Sequence, residues 1–131
     1  MTITLWCLFV AGLLVAITKM PLVAAQKKSG GYDNANPRAQ QASLTGWGAR
    51  ALAAHQNQLE SFPYFAAGAL VATVMKVDPV IAGYLSLTYI AARLAYMFLY
   101  ISNIHALRSL VWFVGFGVSL ALICSPAWAG V

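Results

Sequence analysis

Residues 109–128 read SLVWFVGFGVSLALICSPAW and contain no charged side chain. Residues 1–18, MTITLWCLFVAGLLVAIT, form a second run of this kind, which continues with mostly apolar residues to about Ala25. The hydrocarbon core of a bilayer is about 30 Å thick and is crossed by about 20 apolar residues in a helix. Because the apolar residues in both runs are continuous and do not alternate with polar ones, they predict membrane-spanning helices rather than strands of a barrel.

The composition extends this conclusion to the whole chain. Hydrophobic residues make up 61% of the sequence and charged residues 8%, against roughly 25% charged residues in an average soluble domain. So few charges cannot supply the shell of a soluble domain, and the chain is predicted to be an all-α integral membrane protein in contact with the lipid bilayer. The basic residues are too few, and too little interleaved with aromatic ones, to indicate nucleic-acid binding.

The arrangement of the apolar runs predicts a single membrane domain, residues 1–131, built as a four-transmembrane-helix bundle. Its helices are expected at about residues 2–26, 47–75, 79–103 and 109–128. Residues 26–46 are polar and rich in glycine, asparagine and proline, which predicts a loop. The small residues Ala66–Ala69 and the Gly115-Phe116-Gly117 step are expected to allow close helix approach.

The Lys and Arg residues lie mostly at one end of the predicted bundle: Lys19, Lys27, Lys28, Arg38, Arg50 and Arg108. The other end holds Lys76, next to Asp78. Cytoplasmic loops carry an excess of Lys and Arg. The loop between helices one and two and the loop between helices three and four are therefore predicted to be cytoplasmic, with both termini outside.

Ionisable and polar residues inside the predicted spans follow two stripes. At 100° per residue, Arg50 and Asn57 lie within about 20° of each other on the second helix, and Glu60 and Tyr64 fall on the same side. On the third helix a second stripe has the spacing i, i+3, i+7 and consists of Arg93, Tyr96 and Tyr100. With Arg108 at the start of the fourth helix, these residues are expected to converge in the cytoplasmic leaflet.

Two interpretations of these stripes remain open. Arginine forks bind carboxylates, and a glutamate binds an ammonium group or an amide N–H. Such a pocket complements a small zwitterionic peptide with more negative than positive charge, and glutathione has that charge pattern. Alternatively, Glu60 pairs with Arg93 as a structural bridge between helices two and three.

The segments that carry the stripes also resemble a known family. Residues 50–65 read RALAAHQNQLESFPYF, and residues 93–100 read RLAYMFLY. The pair of patterns Asn-x-x-Glu-x-x-Pro and Arg-x-x-Tyr-x-x-x-Tyr, the Asn36-Pro37 step and the four-helix plan resemble the MAPEG family, the membrane-associated proteins in eicosanoid and glutathione metabolism. The resemblance covers essentially the whole chain, and is closest to compact bacterial members of the family. It implies a bacterial inner-membrane protein.

The resemblance implies a homotrimer that binds glutathione as a cosubstrate between adjacent subunits, near the cytosolic side. Asn57 and Glu60 match the family's glutathione contacts on helix two, and Tyr96 and Tyr100 match contacts on helix three. Arg108 matches the arginine credited with stabilising the thiolate, and is the candidate catalytic residue. The remaining candidates for glutathione binding are the stripe residues Arg50 and Arg93, the latter matching the family's helix-three arginine.

Two positions depart from the family pattern. Glutathione-using members commonly have an arginine where this chain has Ala53, and some have another where it has Gln56. The leading hypothesis is a glutathione-binding protein, with glutathione transferase or peroxidase activity on hydrophobic acceptors. The alternative is a non-catalytic trimer or a small accessory subunit of a larger membrane complex. His55 and His105 lack partner ligands at metal-site spacing, so no metal is expected.

Overall fold

The computed structural model describes residues 1–129, so the last two residues of the predicted domain, Gly130 and Val131, lie outside the described residues. The described residues form α-helices joined by short connections, with no strand among them. The helices are α1 (Ile3–Ile17), α2 (Lys19–Lys28), α3 (Pro37–Ala42), α4 (Gly46–Val74), α5 (Pro79–Ile101) and α6 (His105–Trp128).

Three segments are long and apolar enough to cross a membrane: Ile3–Lys28, Pro79–Ile101 and His105–Trp128. The first of these comprises α1 and α2. The 29-residue helix α4 does not join this group, because the polar residues between Arg50 and Glu60 lower the mean hydropathy of its first half. The structure therefore gives an all-helical protein with three candidate membrane spans.

The predicted first helix is interrupted at Thr18, between α1 and α2. Pro21 has no N–H to donate to the carbonyl of Ile17, four residues earlier, and such a missing bond weakens a helix at that turn. The Thr18 hydroxyl donates to the carbonyl oxygen of Val15 at 3.2 Å, and its Oγ1 lies 3.0 Å from Nδ1 of His55 on α4. The interruption is thus the point at which the first span is joined to α4.

The polar segment expected as a loop contains a short helix, α3, that begins at Pro37. A proline fits the first position of a helix, where its missing N–H removes no bond. Gln40 on α3 then ties the segment together: its Oε1 accepts from Nε2 of the buried Gln26 at 2.9 Å and from the backbone N–H of Asp33 at 3.0 Å. The segment is consequently packed against the end of α2.

The long helices pack around α4 and α5. Helix α6 contacts both of them, and α1 contacts both without contacting α6, so α1 and α6 lie on opposite sides of the α4–α5 pair. The centre of the core is the stack of Phe65 on Tyr89, with ring centroids 3.9 Å apart. At Gly68 the backbone of α4 comes so close to α6 that an added Cβ would lie 2.7 Å from Cβ of Leu122.

Candidate functional site

One face of α4 and the start of α6 enclose the first candidate cavity, of about 380 Å³. It is lined by Asn57, Glu60, Ser61, Tyr64, Trp112 and Phe116. Three members of the predicted α4 stripe, Asn57, Glu60 and Tyr64, therefore share this cavity. Tyr64 is 50% exposed and packs edge-to-face on Phe116, with ring centroids 5.5 Å apart. This half of the site has an apolar wall and a carboxylate at its edge.

A second cavity, of about 220 Å³, lies between α5 and α6. Its lining consists of Tyr96, Tyr100, Arg108, Ser109, Trp112 and Phe113. Trp112 lines both cavities, so the two adjoin at its indole ring. The stripes predicted from the sequence do not include Trp112, and its shared position was not predicted. The two cavities together are referred to below as the Trp112 site.

Arg93 is buried behind the Trp112 site, with 3% of its surface exposed. Its Nε donates to Oε1 of Gln58 at 2.8 Å, and its Nη2 donates to Oδ1 of Asn57 at 3.0 Å. Asn57 in turn donates from Nδ2 to Oε2 of Glu60 at 3.5 Å. The direct Glu60–Arg93 bridge does not form, because the amide of Asn57 lies between the two charges.

A row of two aromatic rings with a cation at each end follows α5 toward α6. The guanidinium carbon of Arg93 lies 4.5 Å from the ring centroid of Tyr96, and that ring meets Tyr100 edge-to-face at 5.6 Å. The guanidinium carbon of Arg108 lies 4.3 Å from the centroid of Tyr100. Cations are attracted to the faces of aromatic rings at such distances. The Tyr100 ring thus fixes Arg108 at the edge of the second cavity.

Two predicted site residues do not line either cavity. Arg93 contributes through Asn57, as described above, and Arg50 donates from Nε to the carbonyl oxygen of Ile101 at 3.0 Å, at the end of α5. Gln56, one of the two departures from the family pattern, lines a different cavity on another face of α4. The predicted stripes did not include Gln58, although its buried amide oxygen accepts a hydrogen bond from Arg93 at 2.8 Å.

The charges of the Trp112 site are therefore few and separated. Among the residues that line it, Glu60 is the single carboxylate and Arg108 the single guanidinium. A carboxylate can accept from an ammonium group, and a guanidinium can hold a carboxylate or a thiolate. Within residues 1–129, no three His, Cys, Asp or Glu side chains lie close enough together to hold a metal ion.

Of three comparisons with known proteins, the comparison with protein-family models finds a match. The model of the MAPEG family matches residues 3–128, nearly the whole chain. The chain belongs to the MAPEG family. Neither a comparison with curated proteins nor a comparison with solved structures finds a match. The MAPEG family includes glutathione-related transferases and peroxidases. Membership of the family does not by itself assign a reaction to the Trp112 site.

Proposed function

We propose that the Trp112 site binds glutathione and that the protein either joins the glutathione sulfur to hydrophobic acceptors or reduces hydrophobic peroxides while glutathione is oxidised to its disulfide. The observation that carries this proposal is the placement of Glu60 and Arg108 in two cavities that adjoin at Trp112. The first cavity, of about 380 Å³, falls within the range of about 300–1,000 Å³ that is typical of small-molecule sites, and the second, of about 220 Å³, lies below it.

Each side chain has a distinct part in this proposal. Glu60 binds the α-ammonium group of the peptide, and Asn57, held by Arg93, fixes the direction of the Glu60 carboxylate. Arg108 lies beside the sulfur and favours the thiolate, which is the nucleophilic form of a thiol. Tyr96 and Tyr100 orient Arg108 through the row of rings that ends at its guanidinium.

The apolar wall of the site suits an acceptor that arrives from the lipid. Tyr64 and Phe116 line the first cavity, and Phe113, which is 66% exposed, lines the second. These rings lie at the surface of the single protomer. We propose that a second protomer covers this surface in a homotrimer, and that the site faces the cytoplasmic leaflet of a bacterial inner membrane.

Calorimetric titration of the purified protein with glutathione tests the proposal. The native protein is expected to bind at millimolar concentration or below, and Glu60→Gln and Arg108→Ala are each expected to weaken binding about tenfold or more, as loss of a charge-assisted hydrogen bond predicts. Lys76→Gln, which removes a charge from the α4–α5 turn, serves as the control and should bind as the native protein does. Absence of binding at millimolar glutathione would exclude this function.

The role of Arg108 is tested separately with S-methylglutathione, which has no ionisable thiol. If Arg108 stabilises the thiolate, Arg108→Ala weakens the binding of glutathione much more than the binding of the methylated peptide. Equal weakening of both ligands would show that Arg108 binds a carboxylate of the peptide instead. The mass of the protein in detergent, measured on the same samples, tests the trimer.

A non-catalytic role remains the second proposal, because one observation favours it. Of the three predicted arginines, only Arg108 lines the Trp112 site, while Arg50 and Arg93 are bound to protein oxygens. A site with one cation is expected to bind a peptide with two carboxylates less tightly than a site with three cations would. Purification from native membranes distinguishes the two proposals: a stoichiometric larger partner, without glutathione binding, supports an accessory subunit.

A further inference from the structure

A separate cavity lies outside the Trp112 site, between α3 and the face of α4 that carries His55. Its volume is about 550 Å³. The residues that line it include Lys19, Tyr32, Arg38, His55 and Gln56. They include two cations, Lys19 and Arg38, and no carboxylate. This pocket, termed here the Arg38 pocket, has the charge of an anion site.

An apolar hollow adjoins the Arg38 pocket. It has a volume of about 390 Å³ and is lined by Ala16, Lys19, Met20, Val23, Ala24 and Lys27, all from α1 and α2. Lys19 lines both spaces, so they meet at its side chain. Met20 is 68% exposed and lies in the segment Ile3–Lys28, which is apolar enough to cross a membrane. The hollow therefore faces the region that lipid acyl chains would occupy beside this segment.

We propose that the Arg38 pocket and the adjoining hollow bind one anionic phospholipid. Its phosphate lies between Lys19 and Arg38, where charge-assisted hydrogen bonds are available, and its hydroxylated headgroup meets Tyr32 and Gln56. One acyl chain follows Met20 and Val23 along the first span. Basic pockets beside membrane-spanning helices are suited to anionic headgroups.

The local structure holds the pocket open in this shape. His55 is anchored to Thr18 at 3.0 Å, at the interruption that also places Lys19 at the start of α2. Gln40 ties α3 to Gln26, which positions Arg38, two residues earlier on α3, beside the face of α4 that lines the pocket. Leu52 and Leu59 supply an apolar wall on α4. The cationic pocket and the apolar hollow thus lie side by side, as the charged headgroup and the acyl chains of a phospholipid do.

The experiment uses the purified full chain, freed of lipid in a nonionic detergent. It is titrated separately with dioleoylphosphatidylglycerol, with dioleoylphosphatidylcholine and with inorganic phosphate, and occupancy is measured by native mass spectrometry. Phosphatidylglycerol is expected to bind about tenfold more tightly than phosphatidylcholine, as two nearby cations predict. The double variant Lys19→Gln, Arg38→Gln is expected to lose that preference.

The matched control is the double variant Lys28→Gln, Lys76→Gln, which removes the same charge from outside the pocket and should keep the preference. Equal binding of the two lipids by the native protein, or equal loss in the control, would overturn the proposal. Displacement of the lipid by millimolar phosphate would identify a soluble-anion site instead and would also overturn it. Should the double variant fail to fold, Arg38→Gln alone, on the exposed side of α3, must reduce the preference severalfold.

Discussion

Arg93 shows how a single residue organises the site without lining it. A buried charge costs several kcal/mol unless it is paired and hydrogen-bonded. In this protein two neutral amides on α4, those of Asn57 and Gln58, accept from the guanidinium. The amide of Asn57 then donates to Glu60. The charge on α5 is thereby satisfied, and the carboxylate on α4 remains available at the edge of the cavity.

Replacing Arg93 tests the contribution of this single residue. Arg93→Ala leaves the buried oxygen of Gln58 and that of Asn57 without their donor, and the free energy of unfolding is expected to fall by about 2–4 kcal/mol. Chemical unfolding in a nonionic detergent, followed by circular dichroism, measures it. Arg38→Ala removes an exposed arginine and should change stability by no more than about 0.5 kcal/mol. A loss below about 1 kcal/mol for Arg93→Ala would contradict the buried role of its hydrogen bonds.

Helical period indicates which side chains lie on one side of a helix. Asn57, Glu60 and Tyr64 share a cavity, as their spacing predicts. Helical period does not predict how far a side chain reaches. Gln58 lies about 100° from Asn57 on the helix, yet its long side chain bonds Arg93. Arg50 shares the stripe with Asn57, but it lies at the helix start and reaches the end of α5 instead.

At the scale of helices, the close approach of α4 and α6 depends on Gly68. An added Cβ there would lie 2.7 Å from Cβ of Leu122 and 2.9 Å from the carbonyl oxygen of Ser119. Small residues let helix backbones approach closely in membranes, and the run of small residues around Gly68 predicts this packing. Gly117 differs, because an added Cβ there meets nothing within 4 Å.

These two glycines give a matched pair of substitutions. Gly68→Ala is expected to destabilise the protein by about 1–3 kcal/mol, since α4 and α6 must move apart. Gly117→Ala adds the same methyl group in open space and should be neutral or stabilising by up to about 1 kcal/mol, because alanine is the better helix former. Thermal unfolding in detergent measures both. Equal effects of the two substitutions would show that the α4–α6 contact is not tight at Gly68.

Sequence reasoning was least successful for the ends and interruptions of helices. The interruption at Thr18 follows from Pro21. Hydropathy alone does not predict it, because the residues on both sides are apolar and hydropathy is insensitive to a missing N–H. The short helix α3 lies in a segment whose composition is typical of a loop, and it depends on the contact between Gln26 and Gln40, which are 14 residues apart. Both features are set by particular hydrogen bonds rather than by composition.

For the whole molecule, the position of α4 decides how the two proposed ligands are arranged. One face of α4 lines the Trp112 site, with Asn57 and Glu60, and another lines the Arg38 pocket, with His55 and Gln56. Helices α1 and α6 lie on opposite sides of the α4–α5 pair. Glutathione and phospholipid would therefore contact α4 together with different neighbouring helices. Each ligand can therefore be tested without altering the other's contacts.

The last prediction is that α4 crosses the membrane as the fourth span. Its 29 residues extend about 43 Å at about 1.5 Å per residue, which exceeds the hydrocarbon core of about 30 Å.

Single cysteines are introduced by Ser43→Cys before α4 and Lys76→Cys after it, both in a Cys7→Ser, Cys124→Ser background. The basic first loop predicts that, in spheroplasts, a membrane-impermeant maleimide labels position 76 directly and position 43 only after permeabilisation. Ser102→Cys, between α5 and α6, is the control and should behave as position 43 does. Labelling of positions 43 and 76 from the same side would show that α4 does not cross, and the polar stripe of Asn57 and Glu60 would then lie at the membrane surface rather than within it.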